Sequence, residues 1–307
     1  MHLGNARTAL LAWASARSRG GAFVMRVEDL DGPRTVPAAV DGNLSELRWL
    51  GLDWDEGPDV GGDHGPYRQS ERGTTYEAAL ERLRARGVLA EDWLSRRDLR
   101  EAASAPHGPT GPVYGEVERR RSAALASERR ARGAASALRA RVGTGTVEIV
   151  DRHRGPVSFD LERDVGDVVV RRSDGLWAYA FAVVVDDAAM AITEVVRGDD
   201  LLPATGAQAA LARLLGLPSP EYAHAPLLLD AAGERMAKRR GDATLAELRA
   251  SGLDPRKLVG ALACSVGWLD APRALSPHEV LQGCPVDRWP ATAERWPADL
   301  DAWLRAP

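Results

Sequence analysis

The sequence predicts an α/β fold: a parallel sheet with an inserted subdomain and a small helical C-terminal region. Three observations predict it. The first 50 residues read helix, strand, helix; the same alternation resumes after residue 165; the stretch between follows neither period.

Leu3, Ala6, Leu10, Trp13 and Ala14 recur at helical spacing, and Gly20-Gly21 stops the run. Ala22 to Val27 is a short apolar run, expected as a buried strand, with Glu28-Asp29 directly after it. A second helix is expected from about Pro37 to Leu50, with Val40, Leu44 and Leu47 on one face and Gly51 as its stop. Thr74 to Arg86 reads as a third, opened by a Thr74/Glu77 capping box and ended by Gly87.

Then the pattern breaks. Residues 104–116 are rich in Pro, Gly and Ser, residues 119–141 carry eight arginines against one acid, Glu128, and residues 142–165 read as short strands and turns. The expected division is therefore 1–87, an insertion at 88–165, 166–241, and a helical region at 242–307. In the third part, Val168-Val169-Val170 restores the α/β pattern. Phe181 to Val185 is expected as a strand ending in Asp186-Asp187, and Ala191 to Val196 as another ending in Arg197-Gly198-Asp199-Asp200. Thr205 to Leu215 reads as a helix stopped by Gly216. The tail offers a Thr244/Glu247 capping box and Pro255 at a helix start. Four of the nine tryptophans (Trp268, Trp289, Trp296, Trp303) are expected to fill its core.

Composition narrows the function. The chain has 307 residues, 45% hydrophobic and 27% charged, which suits a globular protein with a real core. Forty basic residues against 44 acidic ones leave −4, so nucleic-acid contact must come from a local patch. No apolar run approaches the ~18 residues of a spanning helix. Residues 1–20 read as a charged amphipathic helix rather than a signal peptide. Two cysteines, Cys264 and Cys284, exclude a disulfide framework and a cysteine-rich zinc site, and suit the cytoplasm. Only Lys238 and Lys257 are lysine among the 40 basic residues, so each is a candidate for a role arginine cannot fill.

In open parallel sheets, ligands bind beyond the carboxyl ends of the strands. Glu28 follows one expected strand and Arg197 another. A carboxylate and a guanidinium on one rim suit a zwitterion: Arg197 would hold a carboxylate in a fork, and Glu28 an ammonium. That points to an amino acid; the other reading is that the two pair with each other or with solvent. His2-Leu3-Gly4-Asn5 opens the first helix, where free N–H groups form an anion site, though a histidine there can simply be exposed. Arg235-Met236-Ala237-Lys238-Arg239-Arg240-Gly241 is either a phosphate-binding loop or a solvated basic face.

Taken in order, these segments resemble the glutamyl-type class I aminoacyl-tRNA synthetases. His2 to Leu10 resembles their HIGH-type signature, and Arg26-Val27-Glu28-Asp29-Leu30-Asp31 their R-I-E-D-T-D segment. Tyr179 to Asp187 and Val196 to Asp200 resemble the paired segments that close the site, and Arg235 to Arg239 the KMSKS-type loop. Val36 to Ala39, Glu101 to His107 and Asp174 to Tyr179 look like the short branch, the glutamyl-queuosine tRNA(Asp) synthetases. The resemblance implies a Rossmann-type catalytic domain that uses ATP, with Mg2+ on the nucleotide, to convert glutamate to glutamyl-adenylate. The glutamyl group would then pass to the queuosine base of tRNA(Asp); the alternatives are a ligase that activates glutamate, or a similar amino acid, for another acceptor, or a non-catalytic tRNA-binding paralogue. It assigns Glu28, Tyr179 and Arg197 to glutamate, and His2, Gly4, Asn5 and Lys238 to ATP, with His2 and Lys238 catalytic. Tyr179 also has a plainer reading, an aromatic plug with its hydroxyl at the rim. The arginines of 119–141 either contact tRNA phosphates or form a solvated helix. A monomer without membrane contact is expected.

Three departures stand out. The family carries a strand before its HIGH motif, and here Met1 immediately precedes His2; the expectation is a later start than in the functional protein, with the first sheet strand missing. Zinc-binding relatives use three cysteines and a tyrosine, where this chain has Asp92, Leu94, Tyr114 and Glu118, so no zinc is expected. The active loop keeps Lys238 but has Ala237 for serine and Arg235 for the first lysine.

Overall fold

The structure, a computed structural model, describes residues 1–31, 37–95, 97–99, 113–230, 233, 244–290 and 292–305. The chain runs α1 (Leu3–Ser18), α2 (Pro37–Trp49), α3 (Gly73–Ala85), β1 (Leu89–Asp92), α4 (Glu116–Ala131), β2 (Ala137–Ala140), β3 (Thr146–Asp151) and β4 (Gly155–Asp160). There follow β5 (Val168–Arg171), α5 (Tyr179–Ala189), β6 (Glu194–Gly198), α6 (Leu202–Leu215), β7 (Glu221–Ala225) and β8 (Leu228–Leu229). The C-terminal part holds α7 (Leu245–Ala250), α8 (Pro255–Ser265), α9 (Pro277–Gly283), β9 (Glu294–Arg295) and α10 (Ala298–Arg305).

The main sheet has the order β4-β3-β7-β6. β6 and β7 run parallel with Arg197 opposite His224, β3 joins β7 in parallel at Asp151 and Tyr222, and β3-β4 is a hairpin. β5 instead completes a smaller antiparallel sheet, β1-β2-β5. Strand pairing therefore crosses the expected boundary at 165 in both directions: the 146–160 hairpin joins the sheet of β6 and β7, and 168–171 joins that of the insertion. Backbone ladders, invisible in composition, decide which strands share a sheet.

Residues 22–27 are extended but make only isolated parallel bridges, Val24 to Glu56 and Val27 to Arg68. Met25 N donates to the Glu56 carbonyl and Val27 N to the Tyr67 carbonyl, each at 2.8 Å. This segment also lines a cavity of about 660 Å³, together with Glu56, His64 and Met190–Arg197. Among the described residues, β6 is the edge of its sheet.

Besides the buried strand expected at 22–27, where no strand forms and only Val27 is buried, two further expectations fail. Residues 181–185 are not a strand but the middle of α5. Phe181, Ala182, Val183, Val184 and Val185 are all buried, so this helix has no polar face to give it a helical signature. The third helix begins at Gly73, with Arg72 as N-cap and no capping side chain, rather than with a Thr74/Glu77 box. Glu77 reaches Arg171 instead, at 3.5 Å. Elsewhere the signals hold: Thr244 and Glu247 form their capping box, Pro255 opens α8, and Gly216 takes a left-handed φ of 65° after α6.

Two cores result. One joins α3, α5, α6 and the sheet; the other packs α1 and α2 against α8, with Trp268 and Trp296 buried in it and Trp289 and Trp303 at its margin.

Candidate active site

Glu28, Tyr179 and Arg197 line the same cavity between residues 21–26 and β6. Tyr179, Val183 and Asp187 line it too; their spacing of four places them on one face of α5, which is how a helix in place of a strand still delivers Tyr179 to the cavity. Glu28 and Arg197 do not pair with each other. Glu28 Oε1 is 3.3 Å from Arg26, while Arg197 is held from behind by His224, Thr205 and Gln208.

The charges order themselves by sign. Arg26 donates to Asp187 at 2.7 Å and lies 3.9 Å from Asp186. Burial alone would lower its pKa, but Asp187, Glu28 and Asp186 hold it above the usual guanidinium value. Partial withdrawal from water raises the Glu28 carboxyl above its usual range, against the pull of Arg26, and burial does the same to Asp187. Withdrawal from water and the Glu28 charge push the Tyr179 phenol up to about 12, with Arg197 opposing. The cavity thus has an acidic lip, a guanidinium lip and a neutral hydroxyl between them.

At the start of α1, the His2 imidazole turns back and its Nδ1 accepts from Asn5 N at 3.3 Å. A Cβ on Gly4 would sit 3.1 Å from that ring, so glycine leaves room for it. His2 therefore caps its own helix, a structural duty that its position alone did not reveal. Lys238 and the rest of the 235–241 loop lie outside the described residues, as do Glu101 to His107.

The chain was compared with known proteins. Residues 1–275 match the family described as "tRNA synthetases class I (E and Q), catalytic domain". The chain belongs to the class I tRNA synthetases. It is therefore a ligase of the aminoacyl-tRNA synthetase type. Curated relatives include the glutamyl-Q tRNA(Asp) synthetase of Symbiobacterium thermophilum, 48% identical over 92% of this chain and 87% of that protein. The enzyme of the same name from Nocardia farcinica is 50% identical over 92% of this chain and 84% of its own. A crystal structure of a glutamate tRNA ligase from Elizabethkingia meningosepticum, in complex with its amino acid, superposes with a TM-score of 0.83 at 25% identity. That match covers 99% of this chain but 66% of the ligase.

Of the four positions named in the zinc expectation, Asp92, Tyr114 and Glu118 make other hydrogen bonds in this class I synthetase. Asp92 accepts from the Tyr114 hydroxyl at 2.9 Å and from Arg139 Nε at 2.7 Å, and Glu118 accepts from Gly115 N at the start of α4. Among the described residues no group of three or more His, Cys, Asp or Glu side chains is placed to hold a metal ion. The arginines of α4 are largely spoken for: Arg119 pairs with Asp167, Arg120 with Glu116, Arg129 with Asp98 and Arg130 with Glu91. No helix among the described residues is long and apolar enough to cross a membrane.

Sequence reasoning missed Asp187 and Arg26 as wall residues, and Asp151, Thr205, Gln208 and His224 behind Arg197. Two steps of four from Tyr179, through Val183, would have found Asp187, had the segment been read as a helix. His224 offered only a histidine inside a strand-like run.

Proposed function

We propose that this ligase activates glutamate with ATP and transfers the glutamyl group to the queuosine base of tRNA(Asp). In the first step a glutamate carboxylate oxygen bonds to the α-phosphorus, the α–β phosphoanhydride bond breaks, and pyrophosphate leaves. In the second, a nucleophile of the base takes the acyl carbon and AMP departs. The observation that carries this reading is the single cavity shared by Glu28, Tyr179 and Arg197. A carboxylate lip and a guanidinium lip match the ammonium and a carboxylate of one amino acid. The names of the curated relatives support the acceptor.

In this reading Glu28 receives the ammonium, Arg197 a carboxylate, and the Tyr179 hydroxyl stays protonated as a donor. His2, Gly4 and Asn5 lie at the N-terminus of α1, where the helix dipole favours the nucleotide's phosphates, and Mg2+ arrives on the nucleotide. Lys238 adds charge against the phosphate as it leaves; one such donor typically lowers a barrier by about 3 kcal/mol. The inserted subdomain, built on the β1-β2-β5 sheet and α4, faces the tRNA in this reading.

The test is ATP–pyrophosphate exchange with a panel of amino acids, followed by transfer to tRNA(Asp) with and without queuosine. Exchange should require glutamate, and transfer should require queuosine. Equal charging of both tRNAs would transfer the assignment to another acceptor. Absence of exchange with every amino acid would favour a non-catalytic paralogue.

A further inference from the structure

Behind Arg197 lies a buried chain of hydrogen bonds that the reaction scheme above does not use. β6 and β7 are parallel and in register, so Arg197 stands beside His224, and the pleat puts Tyr222 on the same face. Helix α6 covers that face with Thr205 and Gln208. Arg197 Nε lies 3.2 Å from His224 Nε2, and Nη2 donates to Thr205 Oγ1 at 2.7 Å and to Gln208 Oε1 at 2.8 Å. The guanidinium carbon sits 5.1 Å from the Tyr222 ring centre. A guanidinium has five N–H bonds. Nε uses its one and Nη2 its two, and Nη1 takes no hydrogen bond among the described residues.

The donor pattern also fixes the histidine. Arginine can only donate, so its contact makes His224 Nε2 an acceptor and puts the imidazole proton on Nδ1; the same Nε2 also lies 3.1 Å from Thr205 Oγ1. Nδ1 is 2.7 Å from Asp151 Oδ2. Asp151 is itself pinned: Oδ2 also accepts from His224 N at 3.1 Å, and Oδ1 accepts from His153 N and Arg154 N at 3.0 Å each. Both His224 and Asp151 are 1% exposed. Burial, with Arg197 adding to it, pushes His224 below its usual range, against Asp151 and Asp199.

We propose that His224 is a positioning residue for substrate binding. As a neutral Nδ1–H tautomer set by Asp151 it holds Arg197 Nε, while Thr205 and Gln208 hold Nη2, so that Nη1 alone meets the substrate. Arg197 then grips a carboxylate end-on through Nη1, not in the two-nitrogen fork expected from the sequence. The proposal rests on the reading of Arg197 as a glutamate-binding residue.

Two measurements on the full chain test it. The first is 15N NMR of histidine-labelled protein, which needs no activity. His224 should show a protonated Nδ1 and an unprotonated Nε2; an Nε2–H tautomer or an imidazolium near neutral pH overturns the proposal. The second compares His224→Asn, which has no acceptor at the Nε2 position, with His224→Gln, which restores an amide oxygen there. His224→Asn should raise KM for glutamate about 10- to 100-fold, the range for a lost charge-assisted hydrogen bond. Its kcat and its KM for ATP should change less than about 3-fold, and His224→Gln should recover most of the glutamate KM. Equal losses in both variants, or a parallel rise in KM for ATP, overturn it. If the native chain shows no glutamate-dependent exchange, the functional reading falls, while the tautomer measurement still decides the role of His224 toward Arg197.

Discussion

Arg26 and Asp187 meet at 2.7 Å across the wall of the cavity, joining the extended 22–27 segment to the end of helix α5. Both side chains are mostly buried, at 15% and 12% exposure. The same guanidinium lies 3.3 Å from Glu28, so one cation is shared by two carboxylates and weakens their mutual repulsion.

Arg26→Met should therefore destabilise the fold by about 3 kcal/mol, because it strands a buried carboxylate. Urea unfolding monitored by circular dichroism checks this. A loss under about 1 kcal/mol would mean that solvent already screens the pair.

Glu28→Gln should raise KM for glutamate about 10- to 100-fold if Glu28 receives the ammonium. The native pH profile carries a sign. Only the carboxylate form binds an ammonium, and the Glu28 carboxyl titrates above its ordinary range. Glutamate KM should thus rise with acidification earlier than for a solvent-exposed glutamate, and Glu28→Gln should remove that limb. KM values for pyrophosphate exchange across pH 5–8 measure it; a native profile that the variant reproduces would remove Glu28 from the site.

Asp186 is fully buried and accepts from Arg72 at 2.5 Å and from Gln69 and Tyr76 at 2.8 Å each. Asp186→Asn leaves the Arg72 charge without a counterion and should cost about 3–5 kcal/mol. Tyr76→Phe removes one of three donors and should cost about 1 kcal/mol. Thermal or urea denaturation of the two variants gives the ratio, and similar losses would count against Arg72–Asp186 as the dominant pair.

Why the sequence revealed some of this and not the rest comes down to what each signal measures. Helix α1 was legible from the helical spacing of Leu3, Ala6, Leu10 and Trp13, α2 because one face is apolar and the other wet, and α7 and α8 because a capping box and a proline mark their starts. Helix α5 was not, because Phe181 to Val185 is buried on every side and three consecutive valines imitate a strand. Arg72 hid a helix start for a different reason: a guanidinium has no acceptor for free helix N–H groups, and its donors go to Asp186 and the Pro66 carbonyl. Glu28, Tyr179 and Arg197 were legible as motif positions, and the structure sets all three around one cavity. Asp151, Thr205, Gln208 and His224 come together only through sheet register and helix packing, which no local pattern encodes.

The buried His224–Asp151 pair predicts an acid-sensitive stability. His224 titrates below 6.5 when folded, so protonation favours the unfolded chain. Its contribution is complete above about pH 6.5 and is lost as pH falls below that value. Burial works against the Asp151 carboxylate, but the hydrogen bonds it receives keep it below 3.8, so its share is lost only in stronger acid. The melting temperature of native protein minus that of His224→Gln should shrink between pH 7 and pH 5. A difference independent of pH would contradict the assignment.

Gly260 in α8 faces the backbone of Arg273, where an added Cβ would lie 1.8 Å from the carbonyl oxygen. Gly260→Ala must push the helix off that segment and should cost about 2–3 kcal/mol. Calorimetry would register it as a lowered melting temperature; an unchanged value would mean that the Arg273 segment yields freely.

The acidic and guanidinium lips come from distant parts of the polypeptide: Glu28 and Arg197 are 169 positions apart. During synthesis, the ribosome releases Glu28 long before Arg197, and Arg197 before the histidine that steadies it. A growing chain therefore carries half a pocket for most of its time on the ribosome. Competence to hold a small zwitterion therefore waits on long-range contacts, which form slowly because the chain between them must first be closed.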